Sequence, residues 1–191
     1  MKMNHRHYED DGREVIEFCL NDDTTMEDIL SLKQQAFLLC KKVEKAIRIG
    51  SDAFGVPVEI EWDDDRLEAL LQVFDFFKKK DLLLRSLTMT AQSLENYGRF
   101  TRKILRYANA LSLFKKLDLL YGEDLDEGEN LFPGITLNNC LETLVVFSDN
   151  HAQMSDDDMS SLGHLLQTTS TLKWLELYLS LYTHLTLPTK A

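Results

Sequence analysis

A six-residue pattern, apolar-x-x-apolar-x-apolar, returns along this chain and constrains its fold more than any other feature. The clearest copies are Val15/Phe18/Leu20, Leu84/Leu87/Met89, Phe114/Leu117/Leu119, Leu141/Leu144/Val146 and Leu172/Leu175/Leu177. A weaker copy, Ile47/Ile49, has Glu44 in the first apolar position. Starts at 15, 44, 84, 114, 141 and 172 give steps of 29, 40, 30, 27 and 31 residues. Recurrence at about 20 to 50 residues marks stacked repeats, in which each unit buries its apolar side only against the next.

Between the hexads the apolar spacing changes to that of a helix. Residues 24–41 carry Ile29, Leu32, Ala36 and Leu39 on one stripe, with Thr24 or Thr25 as cap and Glu27 and Asp28 near the start. Residues 64–80 have acid at the front, Lys78 to Lys80 at the back, and Leu67, Leu70, Leu71, Phe74 and Phe77 on the apolar face. Residues 93–109, capped by Ser93, place Leu94, Phe100, Ile104, Leu105 and Ala108 together. Residues 156–168 follow Ser155 and carry Met159, Leu162, Leu165 and Leu166. Short strand, helix, short strand is a grammar of parallel strands, because each helix returns the chain to the same sheet edge. Two segments interrupt it. Residues 51–62 (SDAFGVPVEIEW) alternate at Val56, Val58 and Ile60, as an inserted extended piece would. Residues 122–134 begin an acidic, Gly/Pro-rich loop with room for one or two helical turns.

Net charge is −11, from 32 acidic and 21 basic side chains. That argues against nonspecific binding to nucleic acid or an anionic membrane, both of which require clustered Lys and Arg. Cys19, Cys40 and Cys140 are odd in number and widely spaced, so reduced thiols are expected rather than a disulfide framework or zinc site. The start is polar and lacks a secretory apolar run, and no apolar stretch approaches the ~20 residues that span a bilayer. Together these place the expected compartment in the cytoplasm. Residues 1–12 are expected to be disordered, residues 13–180 to form the array of about six strand–helix units, and residues 181–191, which fit no period, to be a non-native-looking or frayed tail. The tail also resembles translated sequencing-adapter read-through.

The hexads VIEFCL (15–20), LRSLTM (84–89), FKKLDL (114–119), LETLVV (141–146) and LKWLEL (172–177) resemble the leucine-rich repeat family. The long last unit, from Leu141 to Leu177, is similar to the helix-bearing repeats of ribonuclease inhibitor and of cytosolic immune receptors. The resemblance implies an α/β fold: a leucine-rich-repeat solenoid with a curved parallel sheet, helices on the convex face and irregular repeats. It implies a fragment of a longer protein and a protein partner bound on the concave face. It leaves two alternatives, a regulator of a nucleotide-hydrolysing protein or a substrate-recruiting adaptor of a ubiquitin ligase. The chain departs from the family where an Asn or Cys usually follows the first leucine by eight residues, having Asp23, Gln92, Gly122 and Asp149 there.

If the apolar positions face the core, the residues between them face the other way. The third positions read Glu17, Ala46, Ser86, Lys116, Thr143, Trp174; the fifth read Cys19, Arg48, Thr88, Asp118, Val145, Glu176. With the second-position residues Arg85, Lys115, Glu142 and Lys173, the last four copies define the candidate partner-binding surface. Its signs are mixed, which suits a protein better than a polyanion. Trp174 is the expected anchor, extended by Phe147 and Tyr178.

No catalytic motif, cofactor or metal site is expected. The chain has no G-x-S-x-G, H-E-x-x-H or phosphate-cradling glycine motif. An enzyme on a doubly wound sheet is therefore the least supported reading. Asp63 to Asp65 and Asp156 to Asp158 read as charge at helix starts, and Glu123 to Glu129 lacks the spacing of a calcium loop. His5, His7, His151 and His164 lack ligand spacing. Arg99, Arg102, Lys103 and Arg106 read as a solvated helix face.

Overall fold

The computed structural model describes residues 5–21, 23–38, 43–50, 63–91, 97–121, 132–148, 156–179 and 183–188. Its strands are β1 (His5–Asp10), β2 (Arg13–Leu20), β3 (Glu44–Ile49), β4 (Leu84–Ala91), β5 (Phe114–Tyr121), β6 (Thr143–Ser148), β7 (Trp174–Leu179) and β8 (Thr183–Pro188). They form one open eight-stranded sheet in sequence order. The six strands β2 to β7 run parallel; β1 and β8 pair antiparallel at the two ends. The helices are α1 (Met26–Leu38), α2 (Asp64–Lys79), α3 (Tyr97–Ala110) and α4 (Asp156–Thr168), with a 3-10 helix at Phe132–Leu137.

The register keeps the hexads level. Ile47 pairs with Leu87, Leu87 with Leu117, Leu117 with Leu144 and Leu144 with Leu175. The row of Ile49, Met89, Leu119, Val146 and Leu177 runs beside it. Both rows join a single buried core with Ile29 and Leu32 of α1, Leu70 and Phe74 of α2, Leu105 of α3, Leu165 of α4, and Phe132 and Ile135 of the 3-10 helix. All described helices therefore cover the same side of the sheet. The first hexad is corrected by one residue. Ile16, Phe18 and Leu20 enter this core, and Val15 is buried outside it. β2 is zipped to β1 back to Arg13, so its strict two-residue alternation puts Ile16 on the core side.

The helix boundaries follow local chemistry. Thr25 and Asp28 cap α1 reciprocally: the Asp28 N–H donates to Thr25 Oγ1 and the Thr25 N–H to Asp28 Oδ2, both at 3.2 Å. Asp63 Oδ1 accepts from the Arg66 N–H at 2.8 Å to start α2. α2 ends in a Schellman turn, with Leu82 N–H on Phe77 O at 2.9 Å and Asp81 N–H on Lys78 O at 3.1 Å. That turn holds Asp81 at a φ of 53°, a conformation favouring glycine. Along α4, Leu162 and Leu165 are buried, but Met159 and Leu166 are exposed, so its apolar stripe is narrower than expected. Ser93, Leu94, Ser155, Cys40 and the 51–62 insertion lie outside the described residues.

The shortest repeat step, 27 residues, is closed by the 3-10 helix at Phe132–Leu137, in the 122–139 stretch expected to hold a loop or at most one or two helical turns. A Cβ on Gly134 would stand 3.0 Å from the Arg106 Cα, so glycine lets this helix approach the α3 backbone. Asn138 then fastens the chain before β6. Its Nδ2 donates to Phe114 O at 3.1 Å, and its Oδ1 accepts from the Cys140 N–H at 2.9 Å. Asn138 is buried, and no repeat position marked it.

Within the N-terminal segment expected to be disordered, His5–Asp10 form β1. Asp11 (φ 50°) and Gly12 (φ 70°) form the two-residue turn between β1 and β2; two positive φ values are what a type I′ hairpin requires. Arg85, on β4, clamps this hairpin across β3. Its Nε donates to Asp10 Oδ2 at 3.0 Å, its Nη2 lies 3.2 Å from Asp11 Oδ2, and its Nη1 donates to Glu44 Oε2. Glu44 also accepts from Arg13. Burial works to raise the Glu44 pKa, yet hydrogen bonds from Arg85 and Arg13 outweigh it and hold the carboxyl below its ordinary range. At the far end, residues 183–188 of the expected tail form β8 against β7.

Two outcomes follow for urea titrations. Asp81→Gly should raise unfolding free energy by about 0.5–1 kcal/mol; a loss would contradict the left-handed cap. Arg85→Met should cost about 2 kcal/mol at neutral pH, because it strands partly buried carboxylates. Glu44 titrates lower when folded, so this stabilisation is complete above the ordinary carboxylate pKa and fades as pH falls through the depressed one. A cost that persists undiminished in acid would contradict the clamp.

Candidate functional site

The sheet face away from the helices carries the two columns in unbroken register. Cα pairs run Glu17–Ala46–Ser86–Lys116–Thr143–Trp174 and Cys19–Arg48–Thr88–Asp118–Val145–Glu176. Parallel pairing at a common height places these twelve side chains in two straight rows.

The rows divide along their length. At the β2 end, Glu17 is 1% exposed and lies between Arg6, on β1, and Arg48, the latter 3.1 Å away. A buried carboxylate flanked by two guanidiniums is a structural ion cluster, since an unpaired charge there would be costly. Ser86, Thr88 and Val145 are also buried. These short side chains offer little exposed area on this face.

Toward β7 the face opens. Trp174 is 41% exposed and Phe147 equally so. The Phe147 and Tyr178 rings stack almost parallel, with centroids 4.0 Å apart and planes 3° apart. Glu176 ties the aromatic group together by accepting from Trp174 Nε1–H at 2.7 Å and from the Tyr178 hydroxyl at 3.1 Å. The latter bond to the carboxylate raises the Tyr178 pKa first of all. Lys116 side-chain exposure is 43%, and its ammonium lies 3.2 Å from Asp118 Oδ2. Thr88 Oγ1 is 3.4 Å from the same oxygen.

Asp118 is the least comfortable of these groups. Its side chain is 19% exposed, but Oδ1 is sealed from solvent and has no hydrogen-bond partner among the described residues. Burial raises its pKa, and Lys116 offsets this only in part. Asp118 also helps line an open depression of about 300 Å³ with Arg48, Thr88, Lys116, Val145, Phe147 and Glu176.

The second-position residues lie elsewhere, at the edge where the parallel strands begin. Arg85 is engaged in the hairpin clamp, with its side chain 18% exposed. Glu142 accepts from Lys173 at 2.8 Å and pairs with Lys115 at 3.1 Å; these bonds lower its pKa. The three are largely exposed, so each pair contributes about 0–1 kcal/mol. This edge borders a cavity of about 560 Å³.

Among the described residues no group of His, Cys, Asp or Glu is arranged to hold a metal. No described helix is long and apolar enough to cross a membrane. Cys19 and Cys140 are free thiols, and burial raises the pKa of Cys140. His164, Lys103 and Arg106 are exposed on the helical layer. The Glu123–Glu129 run and His151 lie outside the described residues. No protein-family model, curated protein or solved structure matches the chain.

A raised acid pKa means that ionised Asp118 opposes folding. Asp118→Asn should therefore raise the urea midpoint at pH 7. The gain should shrink as pH falls through the raised pKa, where the native carboxyl binds its proton and the wild type recovers stability. A lowered midpoint at pH 7 with an unchanged slope would contradict the buried-charge account.

Proposed function

We propose that the chain is a leucine-rich-repeat solenoid whose helix-free, concave sheet face binds a protein partner. The observation that supports this reading is the pair of in-register columns on the sheet face away from the described helices, which is exposed at Lys116, Phe147 and Trp174 toward β7. Side chains set in this way are ordered before contact, so docking loses little conformational entropy. The exposed aromatics Trp174 and Phe147 supply rigid contact area at the β7 end, and Lys116, Asp118 and Glu176 supply charge of both signs. The interface is centred there rather than across the whole face, because the β2 end is occupied by its own ion cluster.

The test is affinity capture with wild type, Trp174→Ala and Lys116→Glu, each first shown to keep the wild-type circular dichroism. Proteins recovered by the wild type should be depleted in both variants, since one substitution removes the aromatic anchor and the other reverses a charge beside it. Equal recovery with all three baits would contradict the assignment.

A further inference from the structure

Within the helical layer, one flank of a helix faces the preceding unit and the other faces the next. The residue after the innermost leucine marks the second flank. In α1, Lys33 follows the buried Leu32, and its Nζ reaches Gln72 Oε1 of α2 at 3.4 Å. In α3, Arg106 follows the buried Leu105, and its Cα lies 3.0 Å from where a Cβ on Gly134 of the 3-10 helix would stand. In α4 the same place belongs to Leu166, after the buried Leu165. The 3-10 helix packs against α4 from the preceding unit, but no described helix lies beyond α4. Leu166 is 38% exposed, and Met159, two turns earlier on the same stripe, is 44% exposed.

Gly163 stands between them. Its φ is not among the positive ones, and a Cβ there would meet nothing within 4 Å. Neither a left-handed backbone nor a crowded neighbour within the chain therefore calls for a glycine, which weakens a helix interior. The missing side chain leaves a notch between Met159 and Leu166. The other end of the array is different. The outward flank of α1 carries Ser31 and Gln35, hydrogen-bonded to each other at 2.8 Å, the polar finish that suits a terminal repeat. At the α4 end, β8 carries the sheet one strand past β7, whereas the described helical layer stops.

We propose that the Met159–Gly163–Leu166 flank of α4 receives a basic amphipathic helix of a partner protein, which extends the helical layer by one member. The inference concerns a different surface from the open sheet face and does not depend on the reading given to that face. The occupant is helical because the equivalent flanks of α1 and α3 are covered by helical elements, so docking continues an interface already built along the array. Apolar side chains at i, i+3, i+4 and i+7 of the incoming helix pack beside Met159 and Leu166, and the Gly163 notch accepts one of them. The occupant is basic because Asp156 is exposed at the start of α4, Asp157 and Asp158 follow it in sequence, and the chain carries −11.

The probe is a dye-labelled peptide of about 18 residues, long enough to hold a helix, with leucine at that spacing and lysine elsewhere. Its control has the same composition with the leucines redistributed around the helix, so that attraction to an acidic chain is common to both. Fluorescence anisotropy with the full chain should show saturable binding of the probe, and binding of the control about tenfold weaker or absent. Leu166→Ser and Met159→Ser should each weaken the probe about tenfold, the scale of one buried apolar side chain, and Gly163→Leu should do the same by filling the notch. Leu38→Ser, at an exposed leucine on α1, and Trp174→Ala, on the open face, should leave binding unchanged. Each variant is first shown to keep the wild-type circular dichroism; the two serine variants alter exposed side chains and decide the matter if Gly163→Leu does not fold. Equal binding of probe and control, no saturation, or unchanged binding in the folded α4 variants would overturn the proposal. Probe binding lost in Trp174→Ala but kept in the α4 variants would move the site to the open face and overturn it equally.

Discussion

The structure depends on each strand lying level with its sequence neighbour in a parallel ladder. Levelness stacks the hexad's second and third apolar residues into two continuous rows, and those rows give every helix stripe a common surface to cover. The same constraint sorts the intervening residues onto the opposite face. A slip of one residue would exchange the two faces, placing Lys116 and Asp118 in the core and Leu117 and Leu119 in water. The penalty for such a slip explains how irregular steps are tolerated. Differences in length are taken up between strands, as where a 3-10 helix closes the 27-residue step, and Ile47 and Ile49 keep their rows although Glu44 replaces an apolar residue.

A sheet built this way has two exposed ends, and both finish with an antiparallel strand. β1 carries Arg6, Glu9 and Asp10 along its length, charge that discourages edge-to-edge pairing. Its attachment goes beyond backbone pairing: Arg85 reaches from the third strand along to hold the hairpin turn, and Arg6 and Arg48 enclose Glu17. The N-terminal half of the open face is thereby consumed by internal ion pairs. The C-terminal half keeps exposed aromatics beside side chains of both charges. Asymmetric use of one continuous face connects the packing to the functional reading.

The sequence made the repeating part legible and the joining part illegible. Periodicity located α2 and α4 nearly to the residue, and the hexad spacing named both open-face columns in their true order. These features are local, repeated and set by alternation. The misses are contacts between residues far apart in sequence. Arg85 read as a surface residue because its partners, Asp10 and Asp11, lie some 75 positions away. Ser86, Thr88 and Val145 read as exposed because alternation gives direction but not the height of neighbouring side chains. Asn138 carries no local signal, because its role is to satisfy a carbonyl on the preceding strand. One miss had a local signal: Asp11-Gly12 is a strong hairpin dipeptide, and it turns a supposed disordered start into a strand.

The in-register ladder is best tested by interstrand nuclear Overhauser effects on deuterated, amide-protonated protein. The account predicts backbone contacts linking Leu117 to Leu87 on one side and to Leu144 on the other, repeated for Met89, Leu119 and Val146. Strong sequential amide–amide contacts through these hexads, or cross-strand contacts joining non-consecutive hexads, would contradict it.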